Sequence, residues 1–177
     1  RFSHHFSSFY QLSTRFLLSQ EFRPTTVRTY RTALSSFFCW LSAMGIDAPM
    51  REHVVSWKEF VKETSSLGTA QTYLAAIKLF FKWTGQQGMY PDIAASVKGI
   101  RVGRFPKKDF LALDQVLVIL KKAKEGNSAS RDYAMVFLMV TCGLRVSEVA
   151  HADVGDLRYV GGEPVLYVYG KGRDGKT

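Results

Sequence analysis

The stretch Cys142-Gly143-Leu144-Arg145-Val146-Ser147-Glu148 decides how the rest of the chain is read. An apolar helical pattern precedes it and ends at Gly143, because glycine most easily takes the conformation that terminates a helix. Arg145 and Glu148 follow at a spacing of three residues, where side chains on a helix can pair. The stretch therefore predicts a helix, a glycine stop and then a charged pair.

A second basic feature lies downstream, where a short strand pattern, Pro164–Tyr169, runs into a glycine-rich turn, Gly170–Lys176. One helix and one strand fit between Arg145 and Lys171. We therefore expect that these two cations can converge on a single anion.

The two features together resemble the first half of the catalytic domain of the tyrosine recombinases, the phage-integrase and Xer-like family. The resemblance rests on T-x-G-L-R-x-S-E, an aspartate-bearing turn at Asp156-Leu157, and a strand followed by G-K-G-x-x-x-K. It implies an enzyme of a bacterium, phage or mobile element, including transposon integrases, that cuts and rejoins DNA through a 3′-phosphotyrosyl intermediate. It implies neither a metal nor another cofactor.

The resemblance also implies roles for three residues. In phosphodiester cleavage, a guanidinium stabilises charge on the non-bridging oxygens, and an ammonium can donate a proton to the leaving oxygen. Arg145 would take the first role and Lys171 the second, while Glu148 would brace Arg145 or its neighbours. The alternatives are a surface helix ion pair for Arg145 with Glu148 and a hairpin-tip charge for Lys171. Arg173 and Lys176 are predicted to contact the DNA backbone or to be solvated.

The remaining parts of the family's catalytic site have no counterpart in these residues. The family has an H-x-x-R cluster and a nucleophilic tyrosine beyond the lysine hairpin, and we assign that role to none of the eight tyrosines here. We interpret the chain as a fragment cut at both ends, which we predict is unable to cleave DNA by itself.

The N-terminal part shows four amphipathic helical patterns, which predict a helical bundle. They are Phe6–Leu18, Thr25–Leu41, Glu52–Val61 and a helix that opens at Gly68-Thr69, with Thr69 as its N-cap, and stops near Gly85. Two shorter helices are predicted further on. The first covers Leu113–Ala123 with Asp114 as its cap, and the second begins at Ser128 or Ser130.

The second and fourth helices carry aromatic patterns that resemble the family's core-binding domain. In the second helix, Thr26, Tyr30, Leu34, Phe37 and Trp40 fit T-x-x-x-Y-x-x-x-L-x-x-F-x-x-W. The resemblance implies that cations on these two helices contact the DNA grooves, although solvated surface charge explains each of them equally well. These cations are Arg28, Arg31, Lys78 and Lys82.

Charge and composition are those of a basic, globular protein, and by themselves they support binding to nucleic acid only weakly. The net charge is +9, with 24 Lys and Arg against 15 Asp and Glu, and most of the excess lies in the first 106 residues. Such a field attracts polyanions, although a merely basic soluble protein has it too. No apolar run is long enough to span a membrane, so we expect a cytoplasmic protein. Cys39 and Cys142 lie in apolar patterns and are predicted to be buried thiols.

The predicted fold is mainly α. A four-helix SAM-like core-binding domain at 1–97 is followed by a basic linker at 98–108 and the first part of an α+β catalytic domain with a small antiparallel sheet at 109–177. The linker cations predicted to contact DNA are Arg101, Arg104, Lys107 and Lys108. The expected partner is double-stranded DNA, and the resemblance implies assembly of protomers on paired sites.

Two other functions stay open at this point. Gly170–Thr177 also fits G-x-x-x-x-G-K-[ST], the phosphate-binding loop of nucleotide-binding proteins, in which Lys176 would hold phosphates and Thr177 a magnesium ion. That pattern would require a helix directly after the loop. The other alternative is a DNA-binding relative that has lost catalysis.

Overall fold

The computed structural model describes residues 3–103, 110–170 and 175–176, with side chains from Ser8 onward. The chain divides into two units, Arg1–Phe105 and Pro106–Thr177. In the described part, none of the helices is both long and apolar enough to cross a lipid bilayer.

The first unit is a bundle of four helices, as predicted. They are α1 (Ser3–Ser19), α2 (Pro24–Ala43), α3 (Arg51–Thr64) and α4 (Leu67–Gln86). Proline occupies the first helical position of α2, where its fixed φ suits the helix and its missing N–H has no intrahelical acceptor. Helices α2 and α4 each pack against the other three helices of the bundle.

The core of this unit is dominated by aromatic rings. Phe37 of α2 is fully buried and meets Trp57 of α3 and Phe81 of α4 edge to face, with ring centroids 5.2 and 5.9 Å apart. Edge-to-face pairs add about 0.5–1.5 kcal/mol beyond the burial of their area. The predicted inward faces of α2, α3 and α4 are thus confirmed at these three positions.

Two local predictions for this unit are wrong. The N-cap of α4 is Ser66, whose hydroxyl accepts a hydrogen bond from the Thr69 backbone N at 3.1 Å. Thr69 already lies in the first turn, where its N–H needs an acceptor and its hydroxyl cannot cap. The Cys39 thiol is exposed rather than buried, because the buried stripe of α2 passes through Phe38 and Leu41 and leaves Cys39 beside it.

The segment that follows α4 packs on the bundle without forming a helix. Ala94, Val97 and Ile100 are buried in the core, and Val102 packs against it. The Lys78 ammonium on α4 donates a hydrogen bond to the Val97 carbonyl oxygen at 2.9 Å. The packed part of the first unit therefore extends through residue 102.

Within 110–170 and 175–176, the second unit contains three helices and a β-hairpin. The elements are α5 (Leu113–Lys122), α6 (Ala129–Thr141), α7 (Val146–Ala150), a 3-10 turn (Val154–Asp156), β1 (Leu157–Val160) and β2 (Glu163–Leu166). Strands β1 and β2 pair antiparallel, from Leu157 opposite Leu166 to Val160 opposite Glu163. The small antiparallel sheet is confirmed.

Several details of the second unit differ from prediction. Strand β1 was not predicted. It pairs with β2, and a two-residue turn, Gly161-Gly162, connects the two strands. Both glycines have positive φ, as tight hairpin turns of this type require. The predicted cap Asp114 is wrong, since Ala112 holds the N-cap position of α5, while Ser128 holds that of α6. Cys142, at the end of α6, is exposed.

Candidate functional site

Arg145 stands where one helix ends and the next begins. Helix α6 stops at Thr141, and Gly143 turns the chain with φ of +63°. Arg145 then takes an extended backbone conformation as the N-cap residue of α7. This geometry directs a long cationic side chain out of the junction, where 65% of its surface is exposed.

Glu148 holds Arg145 through both of its carboxylate oxygens. One oxygen accepts a hydrogen bond from the Arg145 backbone N at 2.7 Å, and the other accepts one from the guanidinium Nη1 at 2.7 Å. The Glu148 side chain is only 6% exposed. These hydrogen bonds, first that from the backbone and then that from the guanidinium, lower the pKa of Glu148 below its ordinary value. The pair is therefore a bracket built around a buried carboxylate, with part of the guanidinium left available to solvent.

A second buried carboxylate, that of Asp156, joins the turn after α7 to Lys176 in the glycine-rich segment Gly170–Lys176. Asp156 accepts hydrogen bonds from the Asp153 backbone N at 2.7 Å and from the Lys176 ammonium, and the latter contact contributes most to lowering its pKa. The Asp156 carbonyl oxygen also accepts from the Tyr167 N at 3.0 Å. Asp156 thus fastens β2 and Lys176 to the turn that follows α7.

Lys176 is engaged within the protein. Its ammonium binds Asp156 and lies 5.1 Å from the centre of the Tyr169 ring. Tyr169 and Lys176 also form an antiparallel bridge, so the chain reverses direction between them. Antiparallel pairing of these two positions differs from the strand-to-helix passage that a nucleotide-binding loop needs.

The predicted DNA-contacting cations of the first unit have different surroundings. Arg28 and Arg31 on α2 and Lys82 on α4 are exposed. Lys78 is half-buried, and one of its donors is used on the Val97 carbonyl. Arg101 is exposed and borders a cleft together with two lysines of α3, Lys58 and Lys62, which the sequence analysis did not single out.

Some of the predicted site residues lie outside the described residues. They are Lys171, Arg173, Arg104, Lys107 and Lys108. Across 3–103, 110–170 and 175–176, no group of three or more His, Cys, Asp or Glu side chains is arranged to hold a metal ion.

Comparison with known proteins places both units in one family. Residues 13–88 match the phage integrase N-terminal SAM-like domain. The chain is 31% identical over 163 residues to tyrosine recombinase XerC of Mycobacterium tuberculosis, covering 86% of this chain and 53% of that protein. It is 26% identical over 179 residues to tyrosine recombinase XerD of Bifidobacterium longum, covering 94% of this chain and 57% of that one.

A solved structure has the same fold. It is that of the XerH site-specific recombinase bound to a palindromic difH substrate, in a post-cleavage complex. The TM-score is 0.67 at 18% identity, over 82% of this chain and 46% of that one. The chain spans about half the length of the curated relatives it matches. On these matches, with the helical bundle and the bracketed arginine, the chain belongs to the tyrosine recombinase family.

Proposed function

We propose that this chain is the DNA-binding part and the first half of the catalytic part of a site-specific recombinase. The protein would cut double-stranded DNA and rejoin it through a 3′-phosphotyrosyl intermediate. The observation that carries this proposal is the Arg145–Glu148 bracket, in which a buried carboxylate holds an exposed guanidinium in place.

The chemistry of the bracket suits a phosphodiester. A guanidinium offers several N–H donors in one plane, and only one terminal nitrogen of Arg145 is bound by Glu148. The remaining donors can bind two non-bridging oxygens of a phosphate, whose charge grows during in-line attack. Because the guanidinium is held before the substrate arrives, little reorganisation is needed at that moment.

Lys171 is proposed as the proton donor to the leaving oxygen. It belongs to the segment between Tyr169 and Lys176, whose two ends are paired. The Asp156–Lys176 ion pair fastens the returning end of that segment to the turn after α7. Asp156 and Lys176 would therefore position Lys171, and Lys176 would act through this anchoring more than through direct contact with DNA.

The first unit would hold the duplex by its exposed cations on α2 and α4, and the residues after α4 would continue the contact. In the absence of an H-x-x-R sequence among the 177 residues, the chain by itself would bind DNA without cutting it. Cleavage and the pairing of protomers on two sites would need the remaining catalytic residues of the family.

A selection experiment tests this function. The purified chain is incubated with a random duplex pool, and bound DNA is amplified over several rounds. We expect enrichment of a defined site whose binding constant falls steeply with salt, because each neutralised phosphate contributes a slope of about −0.9 on logarithmic axes. A binding constant that is flat between low and moderate salt would count against the proposal.

The lack of cleavage is tested on the same selected site. A nicked duplex is used, since it traps covalent intermediates, and the products are separated under denaturing conditions. We expect no protein–DNA adduct with this chain. An adduct that forms would contradict the division of the catalytic site proposed here.

A further inference from the structure

An open cleft of 240 Å³ lies on the first unit between the end of α3, the start of α4 and the segment after α4. Its lining residues are Lys58, Lys62, Leu67, Gly99, Ile100 and Arg101. A water molecule takes about 30 Å³ of liquid, so the cleft can hold a phosphate group or several waters. Three of its six lining residues are cationic.

Packing of the bundle sets the positions of these cations. Trp57 and Val61 of α3 face the core, which leaves Lys58 and Lys62 one turn apart on the adjoining face. Across the cleft, Ile100 is buried, so that the next residue, Arg101, emerges at its edge. The three cations therefore come from two separate parts of the chain.

Both lysines are partly shielded from water. Only 15% of the Lys58 side chain and 35% of the Lys62 side chain are exposed. Packing of aliphatic stems explains part of this burial. It does not by itself account for two lysines and an arginine lining one cleft, since lysine ammonium groups normally extend into water.

Glu59 balances part of the charge. Its carboxylate binds the Lys62 ammonium and lies 3.3 Å from the Lys58 ammonium, and these contacts, chiefly the one with Lys62, lower its pKa. With one carboxylate against three cations, the cleft keeps a positive charge. The Glu59 side chain is 48% exposed, and ion pairs of solvent-exposed groups contribute only about 0–1 kcal/mol, so an anion can compete with Glu59 for the two lysines.

We propose that this cleft binds a backbone phosphate of duplex DNA, an inference that rests on the proposed function. Two ammonium groups and a guanidinium can each donate hydrogen bonds to phosphate oxygens, and such contacts fix the register of a protein on DNA. Open space lies beside Gly99 at the cleft, because a Cβ built there meets no atom within 4 Å. Glu59 limits the affinity of the cleft for a phosphate, because it pairs with the same two lysines.

The first test places a charge beside Gly99 at the cleft. Gly99→Asp adds a carboxylate in open space, and Gly99→Asn adds a neutral side chain of the same size. Binding of the whole chain to the selected labelled duplex is measured by fluorescence anisotropy. We expect Gly99→Asp to weaken binding by about tenfold, a change of about 1.4 kcal/mol, and Gly99→Asn to leave it nearly unchanged.

A charge control separates a local contact from general repulsion. Gln11 is exposed on α1, and Gln11→Glu adds the same charge away from the cleft. We expect this variant to bind DNA much more tightly than Gly99→Asp. Equal losses in Gln11→Glu and Gly99→Asp, or equal binding by Gly99→Asp and Gly99→Asn, would overturn the inference.

The second test changes affinity in the opposite direction. Glu59→Gln releases both lysines, so we expect tighter DNA binding and a steeper salt dependence. Glu52→Gln removes the same charge from the exposed surface of the same helix and is the matched control. This comparison also decides the matter if Gly99→Asp fails to fold.

The two tests keep the inference separate from the function on which it rests. Glu59→Gln and Glu52→Gln with identical salt slopes would overturn the phosphate cleft alone. A wild-type chain that binds no duplex at low salt would instead overturn the proposed function.

Discussion

Glu148 accepts hydrogen bonds from both the backbone and the side chain of Arg145, each at 2.7 Å, while its own side chain is almost fully buried. The carboxylate therefore starts helix α7 and holds the guanidinium at the same time. Local folding and the geometry of the candidate catalytic arginine depend on one charged group.

The first prediction concerns the acid sensitivity of the second unit. The folded-state pKa of Glu148 is lowered, so its contribution to stability is present above the unfolded value of about 4.3 and is lost as the pH falls through the folded pKa. Glu148→Gln should reduce stability at pH 7 and flatten the pH dependence below about pH 5. Thermal unfolding followed by circular dichroism from pH 7 to pH 3 measures both effects.

Glu163→Gln is the control, because Glu163 is exposed at the start of β2. It should leave the pH dependence as in the wild type. Parallel loss of stability with falling pH in the wild type and in Glu148→Gln would contradict the bracket.

The second prediction concerns the tie between Lys176 and Asp156. Lys176→Gln removes the charge that binds Asp156. It should therefore weaken the attachment of the chain at Lys176 to the turn after α7. We expect faster hydrogen exchange at the Tyr167 amide, whose acceptor is the Asp156 carbonyl. Hydrogen exchange at the Tyr167 amide is measured by NMR at neutral pH.

Lys121 on α5 carries the same charge away from the hairpin, and Lys121→Gln should not affect exchange at Tyr167. If Asp156→Asn and Lys176→Gln act through one contact, the double variant should exchange no faster than the more affected single variant. Additive acceleration would indicate that the two side chains act independently.

The third prediction tests whether Gly170–Thr177 is a nucleotide-binding loop. Tyr169 and Lys176 pair antiparallel, and the Lys176 ammonium is held by Asp156. We expect no saturable micromolar binding when fluorescent ATP is titrated with magnesium. Binding in that range that disappears in Lys176→Ala would support the nucleotide-binding alternative.

The fourth prediction distinguishes two lysines of α4. Lys82 is exposed, and Lys82→Gln should weaken DNA binding and reduce the logarithmic salt slope by about 0.9 if one phosphate contact is lost.

The Lys78 ammonium donates a hydrogen bond to the Val97 carbonyl oxygen. Lys78→Gln should therefore cost about 1 kcal/mol of stability. That loss would lower the melting temperature by about 4–8 °C in a domain of 60–100 residues.

Anisotropy titrations and thermal melts on both variants decide between these roles. The expected pattern is a larger binding defect in Lys82→Gln and a larger stability defect in Lys78→Gln. A Lys78→Gln protein with normal melting and the greater loss of DNA affinity would show that the Val97 contact is incidental.

The sequence was sufficient to predict features that depend on neighbouring residues. The four helices of the bundle follow from apolar side chains repeated at helical spacing, and Phe37, Trp57 and Phe81 face the core as that spacing requires. Strand β1 was missed because its side chains, Leu157 to Val160, are all exposed and show no alternation. Helix capping was misassigned at α4 because two hydroxyl residues, Ser66 and Thr69, stand three positions apart.

Features that depend on distant residues were beyond sequence reasoning. Asp156 and Lys176 are twenty positions apart, and nothing in either local pattern pairs them. The burial of Glu148 is likewise set by the packing around α7, so a pair that has the spacing of a surface ion pair becomes a bracket in the fold. The cleft cations needed the course of the chain after α4 to come together.

The packing of Val97, Ile100 and Val102 on the bundle also has a consequence for how the two units would share one DNA site. Residues held on the bundle cannot contribute to the reach of the second unit, since each residue of a fully extended chain spans at most about 3.5 Å. Fewer linking residues would raise the effective concentration of the second unit near a duplex that the first unit holds under the proposed function. Two units of modest affinity can then act together as a single, slowly dissociating clamp.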